Sequence, residues 1–171
     1  VFALALAERM SPNYYLYAES SGQGDAAAFR QALDTLWDYL THKSSRVDLS
    51  AVLESFEPQI PNPVPEGNYG AYPALDACVA LGCAYNSVIC RIGEESEEAS
   101  NASIGSVAGF IEMTEEREFS DEELYEQELM QSEMEFQVEL LNQVDQPRDP
   151  AQILAIRELA AQGGVSNLGI S

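Results

Sequence analysis

The chain has 171 residues, a length typical of one domain, and its composition is strongly acidic. Eight lysines and arginines face 29 aspartates and glutamates, which gives a formal net charge of −21. A hydrophobic content of 46% is enough for a folded core and too high for a disordered chain. The shortage of basic residues argues against binding to nucleic acid or to an anionic membrane surface, because both need positive charge on the protein.

The first half of the chain predicts short helices separated by turns. Val1 to Met10 has helical character without an initiator methionine, and we expect the true N-terminus to precede it. Ser11-Pro12 predicts the start of a second short helix to about Ser20. Asp25 is the expected N-cap of a third helix, whose apolar stripe is formed by Phe29, Leu33, Leu36, Trp37 and Leu40.

On another face of that third helix, Arg30 and Asp34 lie one turn apart, where they can form an ion pair. Asp48 or Ser50 is expected to cap a short helix that follows. Residues 58–72 then contain four prolines and two glycines, which predict an extended crossover. Because each half of the chain is too small to bury its own core, we predict one domain over residues 1–171.

The second half predicts longer helices. Pro73 starts a helix to about Ile92 that is apolar nearly all round and is expected at the centre, and Glu94 to Arg117 forms the next. Their small residues, Gly82 and Gly105 among them, predict a close approach of the two helix axes. A capping box at Ser120–Glu123 opens a long acidic helix to about Val144, which Pro147 ends, and Asp149-Pro150 starts a last helix to Leu159.

These elements predict an all-α fold, a single-domain bundle of about seven or eight helices with a Pro-rich crossover loop. The longest uncharged run, residues 77–90, is too short to span a membrane. Cys78, Cys83 and Cys90 show neither a zinc pattern nor a disulfide spacing, so we predict buried, reduced thiols in a cytoplasmic protein.

Short motifs in order along the chain carry a resemblance to a known family. They are Glu8-Arg9-Met10, Pro12-Asn13-Tyr14, Gly24-Asp25, Leu33-Asp34 with Trp37, Tyr72-Pro73, Asp76 to Leu81, Glu112-Met113-Thr114, Ser120 to Leu124, Ser166-Asn167 and Gly169-Ile170. The chain resembles the YjaG-like bacterial proteins, domain of unknown function 416, although that family usually has more chain before the first motif. The resemblance implies a single all-helical cytosolic domain and implies no reaction.

Glutamate pairs are the first candidates for chemistry. Glu95-x-x-Glu98 and Glu112-x-x-Glu115 superficially resemble the acidic pairs with which all-helical nucleotide pyrophosphohydrolases hold Mg²⁺. On one helix these pairs would lie roughly 25 Å apart, so they cannot share an ion. A pairing of Glu95 and Glu98 with Glu123 and Glu126 on the next helix stays geometrically open.

Glu126 and Glu133 are more selective candidates, because both project onto the apolar face of the predicted acidic helix, with Gln137 one turn after Glu133. An acid on such a face needs a partner or a raised pKa. The plainest interpretation is an internal ion pair with Arg9, Arg30 or Arg117. The alternative is a ligand or metal site.

A third group combines aromatic and polar residues near chain breaks: Asn13, Tyr14, Tyr15, Tyr17, Tyr69 and Tyr72. A tyrosine beside proline or glycine more often closes a core, with its hydroxyl hydrogen-bonded, than lines a binding site. Asp76 lies in the first turn of its helix, where the helix dipole stabilises an anion. The alternative is that Asp76 is a site residue opposite Tyr72 and Arg9.

The candidate ligand or polar cluster therefore comprises Arg9, Asn13, Tyr14, Tyr72, Asp76, Glu126, Glu133 and Gln137. No catalytic residue, metal ligand or cofactor is predicted. The leading hypothesis is a binding or interaction module without catalysis, with a protein partner, a second copy or a small ligand. The alternatives are a carboxylate–Mg²⁺ phosphohydrolase of the nucleotide type, and an acidic mimic of nucleic acid that binds a basic partner.

Overall fold

The computed structural model describes residues 1–42, 46–64, 67–145 and 149–171. Within these ranges it contains eight α-helices and no strand, which confirms the predicted all-helical fold. The helices are α1 (Phe2–Ser21), α2 (Ala26–Leu40), α3 (Leu49–Phe56), α4 (Ala71–Ile89), α5 (Glu95–Glu115), α6 (Asp121–Tyr125), α7 (Glu128–Val144) and α8 (Pro150–Ala161). One-turn 3-10 helices follow α3 and α8, at Glu57–Gln59 and Gln162–Gly164.

Side-chain caps begin several of these helices where the sequence predicts them. Asp25 accepts hydrogen bonds from the amides at the start of α2, and Asp48 does the same for α3. Ser120 and Glu123 form the predicted capping box of α6, and Asp149 caps α8. The prediction of a helix stop at Pro147 and the part of the crossover at Pro65 lie outside the described residues.

Helix α1 is the most central element and contacts α2, α4, α5, α7 and α8. Its first turns are apolar on every side, and residues 2–7 are all buried. Helix α4, which the sequence predicts at the centre, also belongs to the core and has ten buried residues. Helix α4 packs mainly on α1 and α5, and it leaves Tyr72 and Val79 exposed on its outer side.

Pro12 does not divide α1, so the predicted end near Met10 and new start at Ser11 are wrong. Proline cannot donate to the carbonyl of Glu8, a defect that costs about 3 kcal/mol in a helix interior. Buried side chains on both sides of Pro12, such as Met10 and Tyr14, offset this cost because they can pack only if the helix continues.

The predicted long acidic helix is broken into α6 and α7, with Gln127 in an extended conformation between them. Leu124 and Met130 both pack into a small second core around Val107 and Leu168. On one continuous helix these two side chains would point about 120° apart. The break lets both reach the same cluster, so packing overrides local helix propensity here.

Two details of the predicted packing are wrong. A side-chain carbon placed on Gly82 or Gly105 would have no atom within 4 Å, so neither glycine marks a close approach of α4 and α5. Of the three free cysteines, Cys78 and Cys83 are buried as predicted, whereas Cys90 is exposed at the end of α4. No helix in the described part of the chain is long and apolar enough to cross a membrane.

Trp37 generates a stability prediction, because it is fully buried and its Nε1 donates a hydrogen bond to the buried Glu8 carboxylate at 2.8 Å. We expect Trp37→Ala to lower the free energy of unfolding by about 3–5 kcal/mol through a cavity and a lost donor. Trp37→Phe keeps most of the packing and should lose less. Urea unfolding measures both, with the exposed Tyr72→Ala as the control. A loss for Trp37→Ala no larger than that of the control contradicts the prediction.

Candidate functional site

A buried ion pair joins α1 to α7. Arg9 Nε donates to Glu133 Oε2 at 2.7 Å, and both side chains are almost completely buried. The guanidinium carbon of Arg9 lies 4.1 Å from the centre of the Phe136 ring, and its Nη1 donates to the side chain of Gln162. The interpretation of Glu133 as half of an internal ion pair is therefore confirmed, with Arg9 as its partner.

Hydrogen bonds extend this ion pair into a polar network. Glu133 Oε1 accepts from Ser103 Oγ on α5 at 2.7 Å and from Gln137 Nε2 at 3.0 Å. Gln137 Oε1 in turn accepts from Ser100 Oγ at 2.6 Å. Arg9, Glu133 and Gln137, three of the predicted candidates, thus belong to one cluster, and each has partners inside the protein.

Asn13 connects the same network to the C-terminal segment. Its Nδ2 donates to Asn167 Oδ1 at 2.9 Å, and Asn167 Nδ2 donates to Ser103 Oγ at 3.1 Å. Asn13 Oδ1 is buried and has no hydrogen-bond partner among the described residues. Asn167 was not singled out from the sequence as a site residue, because it lies in a tail without helical periodicity.

A second polar cluster, also missed, surrounds Glu8. Both carboxylate oxygens of Glu8 accept from the guanidinium of Arg30, and one also accepts from Trp37 Nε1. Arg30 forms the predicted ion pair with Asp34 at 2.9 Å, and Arg157 of α8 also donates to Asp34. The sequence does contain a signal for this cluster. Glu8 interrupts the apolar run at the start of α1, and an acid buried there needs a positively charged partner.

Tyr14 belongs to an aromatic core and not to the Arg9 network. Its ring stacks on Phe29 with centroids 4.5 Å apart, and its hydroxyl donates to the Gln59 carbonyl at 2.8 Å. Burial raises the pKa of Tyr14 to about 12. A side-chain carbon at Gly24 would lie 2.7 Å from this hydroxyl, and the positive φ of Gly24 also favours glycine.

The remaining candidates lie apart. Glu126 is exposed at the break between α6 and α7, so the prediction that it shares an apolar helix face with Glu133 is wrong. Tyr72 is exposed and lies against Tyr69, with ring centroids 6.1 Å apart. Arg9 is engaged with Glu133, and no arginine is among the groups that shift the pKa of Asp76, so the arrangement of Asp76 opposite Arg9 is not found.

Asp76 is a partly buried carboxylate that forms no ion pair with a cation in the described part of the chain. Burial raises its pKa to about 6, and the neighbouring Ser106 hydroxyl partly offsets this rise. The Ser106 Oγ atom is buried and has no hydrogen-bond partner among the described residues. Burial, together with the charges of Asp76 and Glu112, raises the pKa of Tyr69 to about 12.

Tyr69 also lines a cavity of about 380 Å³ between α1, the segment before α4, α5 and the C-terminal segment. Aliphatic and aromatic side chains form most of its wall, and the polar groups are few. The lining residues are Asn13, Leu16, Tyr17, Ser20, Asn68, Tyr69, Gly70, Pro73, Phe110, Leu168 and Ile170. Of the predicted polar cluster only Asn13 takes part, but Tyr17 and Tyr69 of the predicted aromatic and polar group also line the cavity.

The glutamates of the magnesium hypothesis have other roles. Glu95 accepts from the amides of Ile92 and Gly93, Glu98 lies beside Cys83, and Glu123 binds Arg117 and completes the capping box. Among the described residues no three of histidine, cysteine, aspartate and glutamate converge to hold a metal ion. The converging carboxylates that this hypothesis requires are thus not found in the described part.

Comparison with known proteins identifies the family. The family described as "Protein of unknown function (DUF416)" matches residues 1–171. The chain belongs to this family. Relatives within it include "Uncharacterized protein YjaG" of Escherichia coli (strain K12), which is 39% identical over 99% of this chain and 88% of its own. An uncharacterized protein of Haemophilus influenzae is 32% identical with the same coverage.

A solved structure shows the same DUF416 fold. The crystal structure of a DUF416 family protein from Shewanella baltica OS155 matches with a TM-score of 0.89 and 33% sequence identity. The match covers 99% of this chain and 90% of that one. The resemblance to the YjaG-like proteins and the all-helical fold are both confirmed.

The Arg9–Glu133 pair predicts a strong stability effect. Arg9→Met leaves the Glu133 carboxylate buried without a cation, and we expect a loss of about 3–5 kcal/mol in the free energy of unfolding. Adding Glu133→Gln removes the second charge and should recover a large part of this loss. Urea unfolding of the two single variants and the double variant measures the coupling.

The exposed pair of Arg117 and Glu123, 3.1 Å apart, provides the matched control. Arg117→Met should cost less than about 1 kcal/mol, because water screens this pair. Equal losses for Arg9→Met and Arg117→Met, or additive effects in the double variant, would contradict the structural role of the buried pair.

Asp76 predicts a pH-dependent effect. A carboxyl group with a raised pKa destabilises the folded protein once it ionises, so this cost is absent below about pH 4 and complete above about pH 6. We expect Asp76→Asn to stabilise the protein at pH 8 by about 1–2 kcal/mol, with a gain that disappears at pH 4. Thermal melts of both proteins at each pH measure it, and a pH-independent difference would contradict the assignment.

Proposed function

We propose that the protein is a binding module without catalysis, and that the cavity between α1, α4, α5 and the C-terminal segment takes a small ligand. The observation that carries this proposal is the cavity itself, at about 380 Å³. Ligand sites are typically clefts of about 300–1,000 Å³, mostly apolar, with a few placed polar groups. Leu16, Phe110 and Ile170 supply apolar walls here, while Asn13 and Tyr69 supply polar atoms.

The Arg9 and Glu8 clusters are less suitable than the cavity as ligand sites, because their charges are already paired. In the Arg9 and Glu8 clusters each charge is met by an opposite charge inside the protein. Charges engaged in this way stabilise the fold and offer little to a ligand. At the cavity no lining side chain is charged, and Asn13 Oδ1 has no hydrogen-bond partner among the described residues.

Two other hollows are less suited to a ligand. One of about 320 Å³ lies beside Glu8 and Arg30, whose charges already bind each other. Another of about 460 Å³ lies between α5 and α7, where exposed groups such as Glu115 and Glu128 form part of the rim. The hollow beside Glu8 also has lining residues with unpartnered buried atoms, Tyr15 Oη and Arg30 Nε. The cavity at Asn13 differs in having the most apolar wall of the three.

A ligand screen tests the proposal. A library of metabolites and fragments is added to the protein, and ligands that bind the folded state should raise its melting temperature. Ser20 is exposed and lines the cavity, so Ser20→Trp should fill the entrance without disturbing the core. We expect ligands to stabilise the wild-type protein and to lose at least about tenfold in affinity for Ser20→Trp.

Ser132→Trp is the matched control, because Ser132 is also exposed and lines the separate hollow between α5 and α7. It should bind the same ligands as the wild-type protein. If no compound stabilises the wild-type protein, or if ligands bind Ser20→Trp unchanged, the proposed site is wrong.

The acidic-mimic hypothesis and a cytoplasmic location stay proposals. Helix α7 exposes Met134, Val138 and Leu141 at helical spacing, among glutamates such as Glu135 and Glu139. This surface is where we would place a basic protein partner, and affinity capture at low salt is its test. Two buried thiols and an exposed one, all unpaired, support a reducing compartment.

A further inference from the structure

The polar side chains around the cavity are uncharged amides and hydroxyls. Asn13 Oδ1 lacks a described donor, and the Tyr69 hydroxyl lies against α5, where a side-chain carbon at Gly109 would approach it to 3.4 Å. No lysine, arginine or histidine is among the lining residues. The lining therefore offers no positive charge to an anionic ligand.

The electric field at one end of the cavity is negative. The charges of Asp76 and Glu112 both act on the Tyr69 hydroxyl, and they add to its burial in raising the pKa of that group to about 12. Asp76 has no ion pair with a described cation, and it follows the lining residue Pro73 by three positions, nearly one helical turn. Neither carboxylate lines the cavity, and Glu112 Oε1 accepts from the Phe119 amide at 3.1 Å. A positive group placed beside Tyr69 would therefore be attracted by the field of both without contacting them.

The wall also suits a cation with an apolar body. Tyr17, Tyr69 and Phe110 contribute aromatic rings, which attract cations through their negative faces. Leu16, Leu168 and Ile170 contribute aliphatic surface that an ion without an apolar part would leave unused.

We propose that the cavity binds a small organic cation, an amine whose apolar body fills the cavity and whose ammonium group lies beside Tyr69 on the side of Asp76 and Glu112. This inference rests on the proposed function and adds the chemical class of the ligand. A neutral molecule of the same shape loses the attraction to the carboxylates, and an anion is repelled by them.

Three probes of the same shape and different charge test the inference: phenylbutylammonium, phenylbutanol and phenylbutyrate. Their dissociation constants are measured by NMR titration at pH 7.5. At about 0.15 M salt the Debye length is about 8 Å, which screens general attraction to the acidic surface. We expect the ammonium probe to bind at least tenfold more tightly than the alcohol, and the carboxylate to bind least.

Variants locate the source of this preference. Asp76→Asn should reduce the preference for the ammonium probe over the alcohol to less than threefold, while the alcohol binds as before. Glu122→Gln, which removes one exposed acid on α6, is the matched control and should keep the preference. Ser20→Trp should weaken all binding.

The failure of this inference and that of the proposed function are distinguishable. Equal affinity for the ammonium and alcohol probes, no binding of the ammonium probe, or a preference unchanged in Asp76→Asn overturns the amine proposal. If the screen nevertheless finds neutral or anionic ligands that Ser20→Trp excludes, the cavity keeps its function and only the ligand class is wrong. If the screen finds none, the proposed function fails as well.

Discussion

The arrangement of the bundle depends on one buried ion pair, that of Arg9 with Glu133. Neither charge can be moved from water into the core alone, because an isolated buried charge is far more costly than a paired one. Helix α7 must therefore dock on α1 with Glu133 inward, although 124 residues separate the two partners in sequence. Ser103 of α5 and Gln162 after α8 bind the same pair, so four segments of the chain meet at this point.

The preceding residue of α1 has a similar role towards α2 and α8. Glu8 binds Arg30 and Trp37, and Arg157 lies 3.8 Å from its carboxylate. Two adjacent charged residues on the central helix thus hold the surrounding helices. Because the charges of these groups are paired inside the protein, they are poor candidates for ligand binding.

The acidic composition consequently has three physical roles. Glu8 and Glu133 are neutralised inside the protein, whereas most acids of α5, α6 and α7 are exposed on the surface. Asp76 and Glu112 belong to neither group, because they act on Tyr69 at the wall of the cavity. The total of −21 identifies no partner, but the position of these two carboxylates relative to an apolar cavity points to a cationic ligand.

Much of the fold follows from local chemistry in the chain. Helical spacing of apolar residues and the capping side chains of Asp25, Asp48, Ser120 and Asp149 identify most helices, because these signals act within a few residues. The family is also evident from motifs spread over the chain. Where long-range packing competes with a local signal, the sequence misleads: Pro12 continues α1, and the acidic helix breaks at Gln127.

The candidate site also combines features that the sequence predicts with features that only the packing of the helices determines. From the sequence, Glu133 is an acid that needs a buried partner, with three arginines available to it. The choice of Arg9 required the packing of α7 on α1, and the cavity required Asn13, Tyr69, Phe110 and Ile170 to meet. Residue types and their periodicity specify local conformation, but which side chains face each other depends on how whole helices pack, and that packing is settled by contacts between residues far apart in the chain.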